Sequence, residues 1–134
     1  LPDSPKLSHV GIAVKNLEQV LKIYSDLGFK STPTEIVQEH NLKVVQLSDG
    51  TVSLELMEPL DAVGPLAKYI NSKGEGIHHL AFEVDDLNFM INKLKLLGYI
   101  LVDCNKTGFK GTKIAFLHPK STGGTLIELL EHCD

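Results

Sequence analysis

The 134-residue chain has no tryptophan, two cysteines, no surplus of positive charge and no long hydrophobic run. Cys104 and Cys133 are far from any Cys-x-x-Cys spacing, which excludes a cysteine-built zinc cluster and a disulfide framework and points to a reduced compartment. Thirteen Lys and Arg against seventeen Asp and Glu leave a formal net charge of −4. That balance argues against non-specific nucleic-acid binding, which needs a basic surface. No apolar run approaches the ~20 residues that span a bilayer. The opening Leu1-Pro2-Asp3-Ser4-Pro5 lacks the features of a signal peptide. The expectation is therefore no nucleic-acid partner, no membrane, and a cytoplasmic location, or the mitochondrial matrix where a transit peptide has been removed. Aromatic residues make up only 6%, but 43% hydrophobic and 22% charged residues are ordinary for a globular protein. The length is one domain's worth and buries a core without disulfides.

What is present is a repeat. The stretch from Gly74 to Leu87 carries two adjacent histidines that open an apolar run, then Asp85-Asp86, then a helical pattern. Leu7 to Leu17 is a weaker copy, with His9 matching His79 at an offset of 70 residues. The same offset pairs Val14 with Val84, Asn16 with Asp86, Leu17 with Leu87 and Gly28 with Gly98. Asn16 predicts a helix N-cap, followed by Leu17, Val20, Leu21, Tyr24 and Leu27 at helical spacing and by Gly28 as the stop. Asp86, then Leu87, Met90, Ile91, Leu94 and Leu97, then Gly98, repeat the plan.

Strand-like pieces follow each helix. They cover about 29–38, 42–48 and 51–58 in the first half, and 99–104, 112–118 and 124–131 in the second, where Pro119 to Gly124 forms a turn. Residues 1–6 read as a short disordered lead, and residues 60–75 as a linker with a helix over Pro65–Ser72. The fold class is α+β, with two strand–helix–three-strand modules, about 7–59 and 76–132. Neither sheet covers its own apolar face, so the two copies are expected to pack together.

The last strands also match. Leu54-Glu55-Leu56 aligns with Ile127-Glu128-Leu129 at an offset of 73, which requires a three-residue insertion in a turn. Apolar neighbours on both sides of Glu55 and Glu128 face the helices, so period-two geometry turns the glutamates to the other face. The same parity turns His9 and His79 away from Val10, Ile12, Leu80 and Phe82. Two neutral imidazoles and two carboxylates that converge bind a divalent transition metal, and leave two positions of an octahedral ion open. His78 points to the opposite face and reads as structural or as support for a ligand. Glu58 and Glu131, three residues past the expected ligands, read as exposed. His118 either lines the pocket or fills a strand end.

These modules, with His9, Glu55, His79 and Glu128, resemble the vicinal oxygen chelate (glyoxalase/bleomycin resistance/dioxygenase) superfamily and, within it, the methylmalonyl-CoA epimerases. The likeness is carried by His9-Val-Gly-Ile-Ala-Val14, Leu54-Glu-Leu-Met-Glu-Pro-Leu60, Gly74 to Asp86, and Ala115 to Gly124 leading into Leu126-Ile-Glu128. It implies a single domain over residues 1–134, two paired βαβββ modules forming a cupped, barrel-like mixed sheet with helices outside. It also implies one divalent ion per chain, cobalt favoured over zinc, manganese or nickel, and a homodimer acting on an acyl-CoA. The implied reaction is a 1,1-proton transfer at C2 of methylmalonyl-CoA through an enolate, with Glu128 as one catalytic group. For the second group the resemblance leaves Glu35, Glu39, Glu55 or a water. The strand Leu42-Lys43-Val44-Val45-Gln46 has no carboxylate, and Gln46 there can only orient. Lys120 and Ser121 resemble the family's contact region for CoA, and Gln46 and His118 are further substrate-contact candidates. Glyoxalase I resembles the same two-histidine, two-glutamate pattern. An iron dioxygenase of this fold would leave Glu55 without a purpose, and a metal-free binding protein would leave four polar groups buried.

Overall fold

A computed structural model describes residues 4–132 of the chain. They fold as two compact units, one spanning His9–His78 and the other residues 79–132 together with 4–8. In chain order the elements are β1 (Lys6–Ala13), α1 (Leu17–Asp26), β2 (Lys30–Ser31), β3 (Glu35–Val37), β4 (Leu42–Ser48) and β5 (Ser53–Pro59). After α2 (Pro65–Lys73) come β6 (Gly76–Glu83), α3 (Leu87–Leu96), β7 (Leu101–Thr107), β8 (Lys113–Leu117) and β9 (Ile127–Glu131). Among the described residues, nine strands in mixed pairing and three α-helices bear out the α+β class, and each half follows the expected strand–helix–strands order. Residues 1–3 and Cys133 lie outside the described residues, and the expected lead is already β1 at Lys6.

In the unit His9–His78, β1 runs parallel to β5, with Gly11 opposite Glu55. Strand β5 runs antiparallel to β4, which also pairs with β2 and β3. The expected single strand over 29–38 is thus two short ones. Pro33 has no N–H to give to the ladder, so pairing stops after Thr32 and resumes at Glu35. The core is an aliphatic cluster of Val14, Leu17, Val45, Leu47 and Leu56 beneath α1. Asn16 caps that helix by accepting the Gln19 N–H at 3.1 Å. Gly28, with φ of +108°, takes the left-handed position that ends it.

In the other unit β6 runs parallel to β9, β9 antiparallel to β8, and β8 antiparallel to β7. Strand β7 reaches Thr107, past the expected end at 104, because its register shifts between Val102 and Lys106. Asp103 and Asn105 stand there at φ of 51° and 61°, a region that Asp and Asn tolerate better than other non-glycine residues. The core is Val84, Leu87, Ile91, Ala115, Leu117 and Leu129, with the free Cys104 packed against its edge. Asp86 caps α3 through the Phe89 N–H at 3.0 Å, with backbone angles within a few degrees of those at Asn16.

All five buried residues of the first core have a counterpart in the second: Val14 with Val84, Leu17 with Leu87, Val45 with Ala115 and Leu47 with Leu117 at an offset of 70. Leu56 and Leu129 match at 73. The three inserted residues therefore lie in the β8–β9 connection, which folds as a short 3-10 turn over Pro119–Ser121.

Candidate functional site

Strand parity sorts the side chains as expected. In β5, Leu54 and Leu56 turn to the α1 core and Glu55 to the other face. In β9, Ile127 and Leu129 turn to the α3 core, while Leu130 joins Ala81, Ile114 and Phe116 on the opposite face.

Each unit brings together one histidine and one glutamate. His9 Nε2 lies 3.7 Å from Glu55 Oε2, and His79 Nε2 lies 3.9 Å from Glu128 Oε1. Glu55 is 8% exposed and His79 only 3%. The His9–Glu55 approach is not an ion pair. Burial holds the His9 imidazole well below its ordinary range, at about 4. Burial also pushes the Glu55 carboxyl up to about 7, against a hydrogen bond from Gln46 that works the other way. Between these values desolvation favours the uncharged form of both groups. His9, His79 and Glu128 each offer one metal-ligating atom to a candidate group that does not include Glu55, the fourth expected ligand. Imidazole nitrogens and carboxylate oxygens are the donor types that suit a first-row divalent ion. Each pair fits that role.

Gln46 stands opposite Glu55 in the β4–β5 register, with its side chain hydrogen-bonded to the carboxylate. His78, expected on the face opposite His79, packs edge-on against Tyr69 of α2 with ring centroids 4.4 Å apart. Its imidazole is held below the usual range by burial. His118 fills a strand end: its Nδ1 accepts the Lys120 N–H at 3.0 Å and fixes the Pro119–Ser121 turn. Ser121 Oγ accepts the Ile100 N–H at 3.0 Å, while Lys120 is exposed. Glu35 and Glu39 are both exposed.

Glu58 and Glu131 are not the solvated residues expected from sequence. Glu58 Oε1 accepts the Leu17 N–H at 2.8 Å and its Oε2 meets Lys43 Nζ at 2.9 Å. Glu131 Oε1 accepts the Leu87 N–H at 2.8 Å. Three residues is an odd step, so both glutamates share the helix-facing side, where the first turn of α1 or α3 exposes unsatisfied N–H groups. The signal was a carboxylate ending the helix-facing parity of a last strand.

A model of the glyoxalase/bleomycin resistance protein/dioxygenase superfamily matches residues 8–116 of the chain. The uncharacterized protein YqjC of Bacillus subtilis is 37% identical over 128 residues, 94% of this chain and 91% of that protein. Human mitochondrial methylmalonyl-CoA epimerase is 36% identical over 127 residues, 92% of this chain and 72% of the human protein. The crystal structure of methylmalonyl-CoA epimerase from Mycobacterium tuberculosis superposes with a TM-score of 0.87 at 37% identity, over 96% of this chain and 88% of that one.

Proposed function

The chain belongs to the glyoxalase/bleomycin resistance protein/dioxygenase superfamily, and from that premise we propose that it is a methylmalonyl-CoA epimerase, which interconverts the two C2 epimers by a 1,1-proton transfer. The observation that carries this reading is the twofold recurrence of a histidine, largely removed from solvent, beside a glutamate at matching positions of two matching units. The names of the relatives supply the substrate.

In this reading His9, Glu55, His79 and Glu128 are the ligands of one divalent ion. Such an ion, when bound, supplies positive charge that lowers the cost of an enolate. Cobalt is our assignment, and zinc, manganese and nickel suit the same donors. His9 suits a ligand role because burial holds its imidazole below the usual range. Glu128 moves the C2 proton, and a second group returns one on the opposite face. Glu35 and Glu39, both exposed, would need their loop to fold inward to act. Lys120, exposed on the longer β8–β9 connection, offers an ammonium to a CoA phosphate beside the amides of Gly123 and Gly124. Ser121 and His118 brace that connection. The working form is a homodimer, which light scattering tests directly.

The decisive experiment incubates the protein with a single methylmalonyl-CoA epimer in deuterated water. Inversion with deuterium at C2 is expected. Glu128→Gln should lower kcat by about 10²–10⁴-fold. His79→Ala should abolish exchange, and its metal content should fall with it. Turnover retained in His79→Ala, or undiminished after metal is stripped from the wild type, defeats the reading.

A further inference from the structure

The two copies differ at the position that faces their glutamates. Gln46 of β4 lies directly across from Glu55, and its side-chain amide donates to that carboxylate. Seventy residues on, the position across from Glu128 is Phe116. The fold therefore accepts a large apolar side chain at this place, and the sheet does not need an amide there. Gln46 is itself fixed from the far side of β4. Its backbone N–H donates to Thr32 Oγ1 at 3.1 Å, and its carbonyl accepts the Thr32 N–H at 2.9 Å. A half-buried amide on a strand held at both edges sets the plane of the carboxylate that it touches.

Resting on the metal reading above, we propose that Gln46 is a positioning residue, which holds the Glu55 carboxylate in the orientation that binds the ion. Glu55 then serves as a fixed ligand rather than a mobile base, because turning would break the amide contact. Gln46 acts on the ion only through Glu55.

The test titrates metal-stripped protein with Co2+ alone, with no substrate, and follows the visible absorption of the bound ion. Gln46→Met keeps the length and loses the donor, and Gln46→Leu provides a second variant. Both should bind cobalt about 10–100-fold more weakly, the usual loss for a group that supports a ligand. The visible bands should shift, while the metal-free variants melt within a few degrees of wild type. Unchanged affinity and spectrum in both variants would overturn the proposal, as would a loss of affinity that merely tracks a loss of metal-free stability. A wild-type protein that takes up no cobalt overturns both the proposal and the metal reading. Tight wild-type binding with unaltered variants removes the role of Gln46 alone.

Discussion

Glu58→Ala removes a carboxylate that joins the end of β5 to the first turn of α1. One oxygen accepts the Leu17 N–H at 2.8 Å and the other meets Lys43 Nζ at 2.9 Å. A hydrogen bond to a charged group contributes about 1.5–3 kcal/mol. The favourable charge at a helix N-terminus, about 0.3–1 kcal/mol, belongs to the same contact and is not added to it. The lysine side chain is 34% exposed, so the ion pair contributes about 0–1 kcal/mol. The expected loss is therefore about 1.5–4 kcal/mol, or a fall in Tm of roughly 5–15 °C for a chain of this size. Glu58→Gln keeps an acceptor and loses the charge, for about 1 kcal/mol. Urea denaturation followed by circular dichroism measures these differences, with an unchanged m-value showing that the unfolded state is the same. The reasoning fails if Glu58→Ala costs under about 0.5 kcal/mol, or if Gln and Ala at this position are equally harmful.

Leu56 is fully buried at the centre of the first core, so Leu56→Ala should cost about 3–5 kcal/mol in the same assay. A cost near that of an exposed leucine such as Leu96 would mean the core is misassigned. Asp49 accepts the Thr51 and Val52 N–H groups and the Thr51 hydroxyl, each at 2.8 Å, which holds its carboxyl down at about 2. Its folded value lies below the unfolded one, so its contribution is present above about pH 4 and disappears as pH falls through about 2. The gap in Tm between wild type and Asp49→Ala should be flat from neutral pH down to about 5 and close between 4 and 2. A gap that widens on acidification would contradict this sign.

Much of the fold was legible in the sequence because its signals are local and occur twice. Asn16 and Asp86, the stripes after them, and Gly28 and Gly98 specify helix start, buried face and stop within one stretch of chain. The parity of Leu54-Glu55-Leu56 was enough to turn Glu55 from the core. What escaped depended on groups that meet only after folding. The anchoring of Leu17 by Glu58 joins residues 41 apart, so no window of sequence contains both partners. The break at Pro33 was visible as a proline but was overridden by the extended character around it. The left-handed Asp103 and Asn105 lie in a run that reads as plain strand, because period-two alternation does not report backbone sign. The amide of Gln46 on Glu55 follows from cross-strand register, which hydrophobic pattern alone does not assign between two particular residues.

The odd spacing of Glu55 and Glu58 also guards strand β5 against slipping during folding. A shift by one residue would drive Glu55 into the aliphatic layer and carry Glu58 off the helix, two costly errors from a single mistake. A shift by two would restore the parity but move Glu58 about 7 Å along the strand, out of reach of Leu17. Only one alignment satisfies both glutamates, and Glu128 with Glu131 imposes the same rule on β9. The chain thus proofreads its own strand placement with carboxylates, and a variant lacking Glu58 should refold with more misaligned, slowly rearranging molecules than its stability alone would suggest.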